Sequence, residues 1–76
     1  MIKIQQIRKE KGLSQSQLAK LSGVPVRMLQ SYEQGTRDID GASIDRLCDI
    51  AIALDVKLWD ILESDYRAEK LKRCTI

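Results

Sequence analysis

The chain has 76 residues, with 13 Lys and Arg against 11 Asp and Glu, two Cys and no His. That length allows one small domain, and the missing His removes the commonest general base and the commonest zinc ligand. Two Cys cannot complete a tetrahedral zinc site and no nucleophile–base pair is recognisable, so the sequence predicts no enzyme, no metal and no cofactor.

The first two helices are predicted from apolar spacing and from residues that end helices. The first covers residues 2–11, and Gly12 follows it as a residue suited to the left-handed backbone conformation. Ser14 is a good N-cap for a second helix over residues 15–22, and Gln17 fits a capping box with Ser14.

Further helices are predicted after Gly23, which breaks the second one. Asp55 tolerates the left-handed conformation that ends a helix, and the pattern over residues 64–76 is too weak to separate a short helix from a disordered end. The predicted elements are a third helix starting near Val24 or Pro25 and ending before Gly35, a loop over 36–41, a fourth helix over 42–54 and a fifth over 58–63.

The apolar residues give no membrane or export signal. The longest unbroken apolar run is five residues, 50–54, far short of the roughly 20 that a spanning helix needs. The first six residues lack an apolar signal core, so the sequence predicts a cytoplasmic protein that has no contact with a membrane.

The charges are unevenly distributed along the chain. Residues 1–37 carry a net charge of +5, residues 38–63 carry −5, and residues 64–76 carry +2. Such asymmetry indicates either an end that binds anions or a chance segregation of solvated charges, and charge alone does not decide between the two.

The most informative segment is residues 15–35, in which a short turn at Gly23 joins two predicted helices. This is the plan of a helix-turn-helix. Ala19 lies on the inner face of the second helix, where the next helix crosses closely, and Gly23 supplies a backbone conformation with positive φ. A third helix held at that angle can enter a major groove about 12 Å wide.

The run LSQSQLAKLSGVPVRMLQSYEQG, residues 13–35, resembles the helix-turn-helix of the Cro/repressor family, also called the XRE family. IRKEKGLS at 7–14 resembles that family's first helix and turn, and IDRLCDIAIALDVKLWDILE at 44–63 resembles its fourth and fifth helices. The resemblance covers about residues 2–63. It implies an all-α, five-helix, lambda-repressor-like bundle over residues 1–63, followed by a tail over 64–76 that is a short helix or disordered.

The resemblance also implies two sets of contacts with double-stranded DNA. Arg27 matches a position that can pair with the O6 and N7 atoms of guanine, and Gln30 one that can pair with adenine. The implied base contacts are Val26, Arg27, Gln30 and Ser31, and the implied phosphate contacts are Gln15, Gln34, Thr36 and Arg37. The alternative for each exposed Gln or Ser is that its side chain contacts only solvent and not DNA.

Arg8 and Glu33 match positions that often face each other in similar proteins. The resemblance implies a partly buried ion pair with a structural role, although a basic residue on the first helix can also contact phosphate. Loss of either partner is then expected to lower stability first and DNA binding second.

Several positions depart from the family pattern. Ser22 stands where an apolar residue is usual and Leu21 where a charged one is, so either the helix packs slightly rotated or Leu21 is exposed for a partner. Pro25 replaces the usual Ser or Thr cap. Asp38 and Asp40 put negative charge in a loop that often lies near the sugar-phosphate chain, which is expected to weaken binding.

The cysteines and aromatic residues of the second half have structural and functional interpretations. Cys48 falls on the apolar stripe of the fourth helix, which predicts an inert core thiol, and Cys74 is expected to be a free surface thiol.

Trp59 stands at a normally exposed position and indicates a dimer interface with Leu62 and Tyr66. The alternative is that Trp59 folds over its own helix or lies under the tail.

These observations predict a transcription regulator that recognises a specific sequence, most simply a repressor acting as a homodimer on a pseudo-palindromic operator. The alternative is an interaction module such as an antitoxin that also regulates its own operon. In that case residues 64–76 would become ordered on the protein partner.

Overall fold

The computed structural model describes residues 2–74. This part of the chain contains five α-helices and two short 3₁₀ helices, joined by turns and loops. The α-helices are α1 (Lys3–Glu10), α2 (Gln15–Ser22), α3 (Val26–Gln34), α4 (Ile44–Leu54) and α5 (Asp65–Cys74), and the 3₁₀ helices are Ile39–Gly41 and Leu58–Ile61. No strand occurs in residues 2–74, and the predicted all-α fold is confirmed. None of these helices is long and apolar enough to cross a membrane.

α2 has the predicted bounds because its ends are set by local chemistry. The Ser14 hydroxyl accepts a hydrogen bond from the Gln17 N–H at 3.0 Å, and the Gln17 side chain accepts one from the Ser14 N–H at 2.8 Å. This capping box satisfies two N–H groups that would otherwise have no partner in the helix. Gly23 then ends α2 with φ of 75°, a value that favours glycine.

α3 begins later than predicted, at Val26 rather than at Val24 or Pro25. Pro25 is the N-cap residue, with an extended ψ of 138°, and no side chain caps the helix. Proline has no N–H to contribute and its ring fixes φ, so it suits this flanking position as well as the first turn.

α4 also begins two residues later than predicted. Ser43 is in an extended conformation, and its hydroxyl accepts a hydrogen bond from the Arg46 N–H at 3.2 Å, so it is the N-cap rather than part of the helix. Asp55 ends α4 in the left-handed conformation, with φ of 57° and ψ of 48°.

The predicted fifth helix over residues 58–63 does form, but it is shorter than predicted and is not an α-helix. Only a 3₁₀ helix forms there, Leu58–Ile61, and Leu62 returns to an extended conformation with ψ of 140°. The fifth α-helix lies instead in the following segment, as α5. Residues 75 and 76 of the predicted tail lie outside the described residues.

The core lies between the helix-turn-helix and α4. Leu18 of α2, Leu29 of α3 and Ile50 of α4 are fully buried, and α2 packs on both α3 and α4. The buried apolar residues form one cluster: Ile4, Leu18, Val24, Leu29, Tyr32, Ile39, Leu47, Ile50, Ala51, Leu54, Ile61 and Leu62. Helix α3 is therefore held by apolar contacts on one side, with its opposite side free of the core.

Polar contacts attach the start of α5 to the loop that follows α3. The two carboxylate oxygens of Asp40 accept hydrogen bonds from the Glu63 and Ser64 N–H groups at 2.8 and 2.9 Å. The guanidinium of Arg67 donates to the carbonyl oxygen of Asp40 at 3.1 Å. No described residue of α5 is fully buried, but Ala68 and Leu71 pack partly against the core. The polar contacts add to that packing in positioning α5.

Candidate nucleic-acid interface

The exposed side of α3 carries the residues that the resemblance implies for base recognition. Leu29, Tyr32 and Glu33 are buried, while Arg27 and Gln30 are exposed. Three- and four-residue spacings place side chains on one face of a helix. The residues that share this exposed face are Arg27, Gln30, Ser31 and Gln34, with Val26, 38% exposed, at the amino end.

The side chain of Ser31 is less available for binding DNA than the exposed side chains of α3. Its side chain is half-buried, and its hydroxyl donates a hydrogen bond to the Arg27 carbonyl oxygen at 3.0 Å. Because a hydroxyl has one proton to donate, Ser31 in this conformation can only accept a hydrogen bond from a base.

The turn after α3 is fixed by one carbonyl oxygen. The Ser31 oxygen accepts the N–H groups of Thr36 and Arg37 at 3.1 and 3.2 Å, together with the Thr36 hydroxyl at 3.2 Å. Phosphate oxygens need donors, and these three are already engaged. The exposed side chains of Gln34 and Arg37 are therefore the donors this turn can offer to a phosphate.

Gln15 is the first residue of α2, and its side chain contacts α3. Its amide nitrogen donates to Glu33 Oε1 at 3.0 Å. An amide nitrogen has two protons, so one remains for a phosphate. The backbone N–H groups of Gln15 and Ser16, which the capping box does not use, form the other anion-binding feature of this end.

Arg8 and Glu33 face each other and form a bidentate ion pair. Arg8 Nε lies 2.8 Å from Glu33 Oε2, and Arg8 Nη2 lies 2.9 Å from Glu33 Oε1. The third nitrogen of Arg8 donates to the Leu13 carbonyl oxygen at 2.8 Å. The two residues are only 8% and 7% exposed, so this arginine is unavailable to phosphate and instead ties α1 to α3.

The same pair affects the protonation of Arg8. The hydrogen bond to Glu33 raises the pKa of the Arg8 guanidinium above its usual range, burial opposes that shift, and the negative charge of Glu33 adds to it. Arg8 therefore keeps its positive charge at any pH a folded protein meets.

Asp40 has a structural role that the sequence did not reveal. Its carboxylate binds the backbone N–H groups at the start of α5, so the expected opposition to phosphate falls mainly on Asp38, which is exposed. Asp38 in turn accepts a hydrogen bond from the Asp40 N–H at 3.1 Å. The partners of Asp40 are 23 and 24 residues away, and local patterns carry no signal for them.

At Leu21 and Ser22, where the chain departs from the family pattern, the structure shows an exposed Leu21 rather than a rotated helix. Leu21 is 62% exposed, whereas Ser22 is half-buried and its hydroxyl accepts a hydrogen bond from the Val24 N–H at 3.2 Å. Helix α2 therefore does not rotate to bury Leu21. Ser22 instead helps to fix the turn between the two helices of the motif.

The three residues predicted for a dimer interface lie in different environments. Leu62 is 2% exposed and belongs to the core, so it offers no surface to a partner. Trp59 is half-buried in a cleft with Lys3 and Ala68, and Tyr66 is 75% exposed with the Lys70 ammonium 5.9 Å from its ring centre. Leu62 therefore cannot belong to a dimer surface, and Trp59 lies beside α5 rather than fully exposed.

The two thiols also differ in their surroundings. Cys48 is half-buried rather than a core residue, because it lies at the edge of the buried stripe of α4, and Cys74 is exposed. Among the described residues, 2–74, no group of three or more Cys, Asp or Glu side chains is placed to hold a metal ion.

Comparison with protein-family models supports the same assignment. A model described as helix-turn-helix matches residues 4–58, which is most of the chain. The chain therefore belongs to the helix-turn-helix family of the Cro/repressor type, and it is a DNA-binding transcription regulator. A search of curated proteins and a search of solved structures each found no match.

Proposed function

We propose that this protein is a repressor that recognises a specific double-stranded DNA sequence, acting in the cytoplasm as a homodimer on a pseudo-palindromic operator. The observation that supports this best is the exposed face of α3, where Arg27 and Gln30 project away from a helix whose other side is fixed in the core. α3 enters the major groove, and occupancy of the operator blocks the promoter.

Base recognition comes from the amino half of α3. Arg27 donates two hydrogen bonds to a guanine, Gln30 pairs with the N6 and N7 atoms of an adenine, and Val26 contacts a thymine methyl group. Ser31 contributes as an acceptor, because its proton is bound to the Arg27 carbonyl oxygen.

Phosphate binding positions α3 in the groove. Arg37 and Gln34 reach the backbone from the turn after α3, Thr36 shapes that turn, and Gln15 binds a phosphate at the start of α2. Such contacts fix the register without reading the sequence. Lys20, which is exposed near the end of α2, adds positive charge on the same motif.

Selection of bound sequences from random duplexes, followed by a salt titration of the best site, tests this function. We expect one enriched half-site and an affinity that falls linearly on a log–log plot with salt. Arg27→Ala is expected to weaken binding by about 1–3 kcal/mol and to relax the preference at one base pair.

Arg37→Ala is the matched control, since it removes an exposed arginine from the same motif. It is expected to weaken binding to all sequences alike and to reduce the salt slope by about one, with base preferences unchanged. Failure to enrich any sequence, together with weak binding and no salt slope, would show that the proposed function is wrong.

A further inference from the structure

A shallow apolar depression of about 420 Å³ lies at the turn between α2 and α3. Its apolar lining comes from Ala19 of α2, the buried Val24 and the exposed Pro25 and Val26, and the exposed Lys20 lies beside them. The depression therefore opens at the amino end of the helix that is proposed to enter the major groove. We call this feature the α2/α3 depression.

Val26 belongs both to the α2/α3 depression and to the surface that carries Arg27 and Gln30. On a helix with about 3.6 residues per turn, Gln30 lies about 40° and Arg27 about 100° around the axis from Val26. Val26 is 38% exposed, and its side chain has no atom that can form a hydrogen bond. Its partner on a base is therefore an apolar group.

The charges around the α2/α3 depression favour DNA as its occupant. Residues 11–32 contain three basic residues and no Asp or Glu, and the acid that follows, Glu33, is buried in its ion pair with Arg8. Carboxylates are the side chains that accept a hydrogen bond from the amino group of cytosine. The amino end of α3 therefore has no carboxylate with which to select an unmodified cytosine.

The apolar group that bases present in the major groove is the C5 methyl group of thymine. 5-Methylcytosine carries a methyl group on the same ring carbon. The two bases differ at C4, where thymine has an acceptor and cytosine a donor, and a valine side chain binds neither. An apolar reader therefore distinguishes a methylated pyrimidine from an unmethylated one, rather than thymine from cytosine.

We propose that Val26 and the α2/α3 depression form a site for the C5 methyl group of a pyrimidine, and that this site accepts 5-methylcytosine as well as thymine. Consecutive Cα atoms lie about 3.8 Å apart, close to the rise of about 3.4 Å between stacked bases, so the pyrimidine occupies a base pair next to the guanine that Arg27 reads. Methylation of a cytosine at this position raises the affinity for DNA. This inference rests on the proposed function, in which Val26 meets a thymine methyl group, and extends it to a modified base through which DNA methylation regulates binding.

Pairs of duplexes that differ by one methyl group test this site with the whole chain. The half-site comes from the selection experiment, and the guanine is the one whose preference Arg27→Ala relaxes. At each flanking base pair in turn, thymine is compared with deoxyuridine and 5-methylcytosine with cytosine, with the opposite base unchanged within each pair. At one of the two positions, we expect the methylated duplex of both pairs to bind about fourfold more tightly, the ratio that corresponds to about 0.8 kcal/mol for one buried carbon.

Val26→Ser tests whether this residue reads the methyl group. Because Val26 is exposed, the variant is expected to keep the fold, which circular dichroism checks, and to bring both affinity ratios close to one. Leu21→Ser is the matched control, since Leu21 is an apolar residue of α2 that is 62% exposed and does not line the depression. It is expected to leave both ratios at their wild-type values.

Three outcomes would overturn the proposal: equal binding of the thymine and deoxyuridine duplexes at both flanking positions, a thymine preference with no preference for 5-methylcytosine over cytosine, or ratios that Val26→Ser leaves unchanged. Failure of the proposed function looks different, because no half-site would then be enriched from random duplexes and both proposals would fall together. An enriched half-site with ratios of one counts against the methyl site alone.

Discussion

At the scale of single residues, Glu33 connects the core to the candidate DNA interface. Its Oε1 atom accepts hydrogen bonds from both Arg8 and Gln15, and its Oε2 atom accepts one from Arg8. One buried carboxylate thus joins α1, the start of α2 and α3. The proposed phosphate contact of Gln15 therefore depends on a residue that never reaches DNA.

Removing one member of the Arg8–Glu33 pair is expected to cost more than removing both. Glu33→Leu should lower the free energy of unfolding by about 3–5 kcal/mol, because it leaves the Arg8 charge buried without its partner. The double variant Arg8→Leu/Glu33→Leu buries no unpaired charge, so its loss should be smaller than that of Glu33→Leu alone. Urea unfolding of the four proteins measures this.

Glu10→Leu is the control for that series, because Glu10 is an exposed acid at the end of α1. Its effect should stay within about 0.5 kcal/mol, as for most surface substitutions. An equal loss for Glu33→Leu and Glu10→Leu would contradict a structural role for the ion pair.

At the scale of elements, the sequence predicted those helix ends that depend on residues within a few positions of the end. The Ser14–Gln17 capping box indicated the start of α2, Gly23 its end, and Asp55 the end of α4. The starts of α3 and α4 were placed one or two residues early, because extended Pro25 and Ser43 flank helices without belonging to them.

The features that the sequence could not predict depend on contacts between residues far apart in the chain. The stretch after Leu58 has apolar residues at helical spacing, yet Leu62 turns into the core and the next two N–H groups bind Asp40. Nothing within residues 58–63 encodes those partners. The same limit applies to the interface: resemblance suggested that Arg8 faces Glu33, but not that Gln15 joins them.

Asp40→Ala is expected to loosen α5 while leaving the helix-turn-helix intact. The change removes the acceptor of two backbone N–H groups at the start of α5, an effect comparable to losing an N-cap, about 0.5–2 kcal/mol. Hydrogen exchange should therefore accelerate at the amides of Asp65–Cys74 and stay slow in α2 and α3. Asp38→Ala, in the same loop, removes a contact that does not reach α5 and should leave α5 protected to the wild-type degree; equal protection in both variants would contradict the role of Asp40.

At the scale of the whole molecule, the net charge of +2 conceals a strong separation. Of the seven basic residues in 1–37, only Arg8 is buried, and its charge is balanced by Glu33. Lys3 is half-buried and its ammonium pairs with Asp65 at 3.2 Å. The helix-turn-helix half therefore presents the other five bases against a single exposed acid, Glu10. The acids of residues 38–63 lie in the loop after α3, on α4 and in the segment that follows α4. An excess of exposed positive charge of this kind favours a polyanion.

Spacing of the operator half-sites gives the last prediction. The described part of the chain measures 32 × 24 × 21 Å, so its long dimension is close to the roughly 34–36 Å that separates half-sites one turn apart. Inserting 5 base pairs rotates one half-site by about half a turn, and a rigid dimer can no longer reach both. Affinity should then fall to that of a duplex with a single half-site, and an insertion of 10 base pairs, which restores the facing but doubles the separation of the half-sites, should not recover it. Gel-shift titrations of the three duplexes, with the single half-site as reference, measure this; undiminished affinity after the 5-base-pair insertion would mean that the two copies do not bind as one unit.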